Sequence, residues 1–212
     1  EHATRHLIYA RFWHKFLYDI GVVSTPEPFM ELHSVGLILA EDGRKMSKRF
    51  GNVVNPDDVI SERGADAFRT YEMFMGPFSQ SISWSTKNLT GPKRFLEKVW
   101  HLRERVQDTA PSETLEQETH ETIAKVTSDI ESFSFNTAVA KLMMFANTLH
   151  ELQEVPKSAY ETLVLLLAPF APHMADELWE QLGHTETIQH GPWPHFDSAK
   201  LARSEVTVIV QV

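Results

Sequence analysis

A chain of 212 residues, 42% of them hydrophobic, is long enough for one large or two small domains with a real core. Its 29 Asp and Glu outweigh 20 Lys and Arg, and this formal charge of −9 excludes a protein that coats nucleic acid through a broad excess of cations. There is no cysteine, so a disulfide framework and a cysteine-bound metal are both excluded, and a reducing compartment fits.

In chain order, residues 3 to 20 read as a helix crowded with aromatics and stopped by Gly21. The opening "EHATRHLIYARFW" has no apolar core after a basic start, so it is not a signal peptide. It also lacks an initiator Met, which suggests a fragment or a processed piece. "SVGLILA", residues 34 to 40, predicts a buried strand ended by Asp42-Gly43. Asn55, Pro56, Asp57 and Asp58 form a strong helix start, and Gly64 closes that helix. "ADAFRTYEMFM" is the next helix, stopped by Gly76-Pro77.

From about residue 88 the pattern is helical. Phe95, Val99, Leu102 and Val106 share one face, and Leu115, Ile123, Val126, Ile130 and Phe133 a second. Ala138, Leu142, Phe145, Leu149 and Leu152 make a third, with "KSAYETLVLLLAPF" and "HMADELWEQL" as a fourth and fifth helix. Short connections between such helices predict an antiparallel bundle, so the fold class is mostly α. The apolar stretch from Leu163 is cut by Pro169 and Pro172, and no run reaches membrane-spanning length. The end, "EVTVIVQV", reads as a strand without a partner nearby.

Between the strand and the Asn55 cap lies "DGRKMSKRFG", residues 42 to 51, with Arg44, Lys45, Lys48 and Arg49 flanked by Gly43 and Gly51. Most cation clusters are solvated surface. This one leaves a strand, is bounded by glycines and precedes a well-capped helix, the position at which open α/β sheets bind ligands. Lysines there suit phosphate as mobile point charges. A second basic segment, residues 87 to 105, precedes the acidic stretch 112 to 132. Lys93 and Arg94 fall in the first turn of their helix, where the dipole disfavours cations, and this points to a polyanion partner. His2 and His6 have helical metal-ligand spacing, but no third ligand joins them and no zinc site is expected.

"KMSKR" resembles the KMSKS signature of class I aminoacyl-tRNA synthetases, and "GLILAEDGRKMSKRFGNVVNPDDVI" the long form in the leucine enzymes. "EHATRHLIYARFWHKFLYDIG", "GADAFRTYEMFMGP", "SISWSTKNLTGPKRFLEKVW" and "LLAPFAPHMADELWEQLG" resemble further leucyl segments, in the same order. The resemblance implies the carboxyl-side part of a nucleotide-binding α/β domain over residues 1–77. It further implies an anticodon-binding-type helical bundle over 78–200 and the first strand of a further domain over 201–212.

It also implies ATP-dependent activation of leucine and transfer to tRNA(Leu) in the cytoplasm, with Mg2+ on the ATP phosphates and no metal held by this chain. Lys45 and Lys48 then meet the phosphates, Met46 anchors the loop and Ser47 adds a hydroxyl. Glu1 and His2 match the stretch that lies against the nucleoside, and Lys93, Arg94 and Lys98 face tRNA. Arg49 departs from the signature, where Ser is usual. The family's HIGH signature, leucine pocket and editing domain have no recognisable counterpart here, so this chain alone is expected to be inactive. The rival readings are a non-catalytic tRNA-binding module and the same region of a valyl or isoleucyl ligase.

Overall fold

The computed structural model describes residues 5–201. Its contacts divide into two compact units, one up to Val35 and one from Gly36 onward. The first holds α1 (Leu7–Asp19), the aromatic-rich helix the sequence predicts. A Schellman turn ends it, with Val22 N–H bonding the Leu17 carbonyl at 2.9 Å and Gly21 N–H the Tyr18 carbonyl at 3.0 Å. Arg11 and Lys15, one turn apart, both reach Glu27 Oε1 at 2.8 Å, which folds the following segment back along the helix. Hydrogen bonds from Arg11 and then Lys15 lower the Glu27 carboxyl to a pKa of about 2.

The second unit begins with β1 (Ile38–Leu39), then α2 (Pro56–Arg63), α3 (Ala65–Phe74) and β2 (Ile82–Ser83). Asn55 caps α2 by accepting the Asp57 N–H at 3.3 Å, with Pro56 at the first position, as expected. The strand is a correction. β1 has two residues, pairs in parallel only with β2, and leaves Leu37 and Ile38 exposed; of the run 34 to 40, Ala40 alone is buried. Apolar side chains predict burial only when other layers cover both faces, and the described residues supply one short neighbour.

A 3₁₀ turn (Thr86–Leu89) leads into α4 (Thr90–Leu102), and a further 3₁₀ turn (Arg103–Arg105) into β3 (Val106–Gln107). Then come α5 (Glu113–Glu131), α6 (Phe135–Glu151), β4 (Val155–Pro156), α7 (Lys157–Leu167) and α8 (Pro172–Gln181). Val106 is therefore not the last member of the α4 face: it pairs in parallel with Val155. The other apolar faces are as predicted within the helices, but Phe133 lies in the turn after α5 and Leu152 just past the end of α6. Val99, Leu102, Val126, Leu142, Phe145 and Leu149 are wholly buried and pack in one core with Leu163 and Leu178. Tyr160 is buried among them and donates to the Val99 carbonyl at 2.9 Å, so its hydroxyl is satisfied.

The α5–α6 turn is also a Schellman turn, with Phe133 in the left-handed position usually given to glycine (φ 57°). Phe78 and Phe135 pack on its ring, with centroids 5.3 and 5.5 Å away. Among the described residues no helix is long and apolar enough to cross a membrane. The predicted terminal strand "EVTVIVQV" lies outside the described residues.

Candidate functional site

The basic loop grows from the end of β1. Ala40 N–H bonds the Arg44 carbonyl at 2.8 Å and Gly43 N–H the Ala40 carbonyl at 2.9 Å, so the chain reverses within four residues. Leu39 and Lys45 then face each other as an antiparallel bridge. The Asp42 carboxylate accepts three bonds from Arg44, from its amide at 3.0 Å, Nε at 2.8 Å and Nη2 at 2.6 Å. This pairing holds the Asp42 carboxyl below its usual range. The Arg44 guanidinium also lies 4.9 Å from the centroid of the Phe50 ring. One of the four cations is thus committed within the chain.

The other three are exposed. Lys48, Arg49 and Phe50 form a single 3₁₀ turn, capped by Ser47 Oγ, which accepts the Arg49 N–H at 3.3 Å. Asn52 Oδ1 accepts the Ser47 N–H at 2.9 Å. Gly43 and Gly51 both have positive φ, 76° and 63°, which L side chains rarely adopt. Met46 is half-buried and packs against the core, while Lys45, Lys48 and Arg49 point outward without a carboxylate partner among the described residues. The loop turn uses the backbone N–H of Arg49, not its side chain, which is exposed.

The base of the loop is tied to the segment that opens α4. Trp84 N–H bonds the Leu39 carbonyl at 2.8 Å, and Glu41 Oε1 accepts the Thr86 N–H at 3.0 Å. That N–H keeps the Glu41 carboxyl below its ordinary value. Tyr71 of α3 completes the brace: its hydroxyl donates to the Ser85 carbonyl at 2.9 Å and accepts the Ser85 N–H at 3.0 Å. Burial raises the Tyr71 pKa, so this phenol stays neutral at ordinary pH.

The cations of α4 meet different neighbours. Lys93 sits 4.0 Å from Glu97 and lines an open cleft of about 410 Å³ with Trp100 and His173. Arg94 lines a different cleft, of about 560 Å³, with Lys87, Phe74 and Ile82. Lys98 donates to Asn147 Oδ1 of α6. The 3₁₀ turn ahead of α4 continues the helical path, so Lys93 and Arg94 lie deeper than the first turn and the predicted dipole penalty is relieved. Arg103 and Arg105 of the same basic segment are used internally, on the Trp100 and Leu152 carbonyls at 2.7 and 2.6 Å.

Glu1 and His2 lie outside the described residues. Sequence reasoning missed Asn52, Glu41 and the role of Asp42. Asp-Gly and Gly-Asn pairs carry the turn chemistry that signals two of them, whereas nothing local marks the Glu41 contact with Thr86.

Residues 8–85 match the family of class I tRNA synthetases for I, L, M and V, and residues 113–212 match the anticodon-binding domain of tRNA ligases. The chain aligns over 95% of its length, at 36% identity and a TM-score of 0.78, with a LeuRS of Agrobacterium radiobacter solved as a ternary complex with tRNA and LeuAMS. The chain belongs to the class I aminoacyl-tRNA synthetases. It spans 29% of the length of that LeuRS. The methionyl-tRNA synthetase of Mycobacterium tuberculosis, solved with methionyl-adenylate, shares the fold at 18% identity and a TM-score of 0.56. That likeness covers 82% of this chain and 42% of the other. Within this synthetase chain, the basic loop falls in the synthetase match and α5 to α8 in the anticodon-binding match.

Proposed function

We propose that this chain is the loop-bearing and tRNA-binding part of a leucine–tRNA ligase, which forms leucyl-adenylate from leucine and ATP and passes leucine to tRNA(Leu). The observation that carries this reading is a loop whose two signature lysines, Lys45 and Lys48, project into solvent from a framed, glycine-bounded turn. The 36% identity to a LeuRS supports leucine over the other amino acids of the group.

In the activation step, the leucine carboxylate attacks the α-phosphorus of ATP and pyrophosphate leaves with the electron pair of the broken P–O bond. Negative charge gathers on that leaving group, and preorganised cations aimed at it stabilise the transition state more than the ground state. Lys45 and Lys48 are the cations assigned this role. Met46 holds the segment between them to the core, and Ser47 sets the turn that carries Lys48. Mg2+ enters with the ATP phosphates as part of the substrate and neutralises part of their charge. The residues preceding the described part, Glu1 and His2, are assigned to the nucleoside by resemblance alone.

We further assign residues 1–77 to the catalytic side, 78–200 to the tRNA-binding side and 201–212 to a further domain, and place the enzyme in the cytoplasm, where charged tRNA is used. Lys93, Arg94 and Lys98 are the candidate phosphate contacts on tRNA. The test is pyrophosphate exchange by the complete enzyme with leucine, isoleucine, valine and methionine in parallel, repeated for Lys48→Ala. The expected result is exchange with leucine that falls roughly 100-fold in the variant at saturating leucine. Exchange with another amino acid, or an undiminished rate in Lys48→Ala, overturns the corresponding part of the reading.

A further inference from the structure

Helix α8 starts without a cap of its own. Its N-cap position is Ala171, Pro172 follows, and its first turn has no acidic residue. Helix α3 begins after Gly64 and likewise has no side-chain cap. One carboxylate serves at both ends. Asp66 lies in the first turn of α3, and it accepts the Met174 N–H at 2.7 Å, the His173 N–H at 3.4 Å and His173 Nδ1–H at 2.7 Å. Its side chain is 13% exposed. A negative group between two helix N-termini is stabilised by both dipoles and satisfies amides that have no partner within their own helix.

Arg69, one turn further along α3, donates to the Pro169 carbonyl at 3.0 Å, just past the end of α7. Asp66 therefore takes the positive end of α8 and Arg69 the negative end of α7, across about a hundred residues of sequence. The two stretches they join are the synthetase match and the anticodon-binding match. The same helix holds Ser85 through Tyr71, at the base of the lysine loop. Helix α3 is thus one strut with a polar clamp at each end.

We infer that Asp66 is a positioning residue for the transfer of the amino acid to tRNA, acting by fixing the α7–α8 turn on α3, with Arg69 as its partner. Activation involves two small substrates at the loop side and does not need that spacing. A tRNA must engage both stretches at once, and a small misplacement between them moves its reactive end away from the adenylate. The inference rests on the proposed tRNA-binding role of the helices.

The experiment uses the complete synthetase as wild type, Asp66→Ala, Asp66→Asn and Arg69→Ala. Pyrophosphate exchange, aminoacylation of tRNA, and hydrogen exchange at the His173 and Met174 amides are measured on each. Exchange of pyrophosphate should stay within about twofold, while aminoacylation kcat/KM for tRNA falls about tenfold in Asp66→Ala. Asp66→Asn, which keeps the acceptor but not the charge, should recover part of that loss. The two amides should exchange faster in Asp66→Ala than in wild type. Equal falls in both activities mark a merely structural residue and overturn the inference, as does unchanged aminoacylation despite faster amide exchange. Running the four amino acids in parallel separates this from the proposed function: a wrong substrate appears as activity with a different amino acid, and the Asp66 contrast is still read on it.

Discussion

Asn52 braces the lysine loop from behind: its Oδ1 accepts the Ser47 amide at 2.9 Å, five residues back along the chain. Ser47 in turn caps the turn that presents Lys48, so one amide side chain sets the position of a lysine it does not touch. Replacing Asn52 by Ala removes a half-buried bond worth about 1 kcal/mol. Hydrogen exchange at the Ser47 amide should rise about fivefold in Asn52→Ala. An unchanged rate means the loop holds its shape without the brace.

The four cations of the loop are not equivalent. Arg44 is occupied by Asp42 and Phe50, whereas Lys45 and Lys48 face solvent. In the complete enzyme, Lys45→Ala and Lys48→Ala should each slow pyrophosphate exchange by roughly 100-fold, while Arg44→Ala changes it only a few-fold. Equal losses at all three positions refute the division, because a guanidinium already paired with a carboxylate contributes little to a distant phosphate.

Gly36 marks a place where two backbones nearly touch. A Cβ built there lies 1.9 Å from the Gln80 carbonyl oxygen, and backbone cannot step aside as a side chain end can. Gly36 N–H also bonds the Phe78 carbonyl at 2.9 Å, beside the β1–β2 pair. Gly36→Ala should destabilise the fold by about 2 to 4 kcal/mol and separate β1 from β2. Urea denaturation followed by the fluorescence of the chain's five tryptophans, among them Trp84 directly after β2, checks this. A midpoint equal to that of wild type refutes the close approach.

The Glu41–Thr86 bond gives a pH dependence with a defined sign. The folded carboxyl titrates below the ordinary glutamate value of 4.5, because the Thr86 N–H favours its charged form. The contribution to stability is therefore complete above that ordinary value and is lost as pH falls through the lower, folded one. The Thr86 amide resonance should shift with a midpoint below 4.5 in wild type. It should not show this shift in Glu41→Gln. A midpoint at or above the ordinary value refutes the assignment.

On α4, Arg94 should matter more to tRNA than Lys93 or Lys98. Lys98 is held by Asn147 and Lys93 stands near Glu97, while Arg94 shares a cleft with Lys87 and has no carboxylate partner among the described residues. Arg94→Ala in the complete enzyme should weaken tRNA binding and reduce the log–log salt slope by about 0.7 to 0.9. Lys93→Ala and Lys98→Ala should each lower the slope by less than Arg94→Ala does. The reverse order refutes the geometric argument.

The sequence by itself determined what depends on neighbours in the chain. Gly21 ended α1, Asn55 and Pro56 began α2, and periodic Leu, Val and Phe residues placed the buried faces of α4, α5 and α6, because caps and helical periodicity act over a few residues. The signature lysines were legible for the same reason: their pattern is contiguous.

Only the tertiary structure decided which groups meet. Local spacing put Lys93, Arg94 and Lys98 on one basic helix, but folding gave them different neighbours: Glu97 and the His173 cleft for Lys93, the Lys87 cleft for Arg94, and Asn147 of α6 for Lys98. Apolar residues 34 to 40 predicted a buried strand, yet burial needs covering layers that periodicity cannot supply, and β1 remained short and partly exposed. The capping of α8 by Asp66 could not be read locally at all. Its donors and acceptor are 107 and 108 residues apart, and no pattern within one helix records a bond whose partner arrives only on folding.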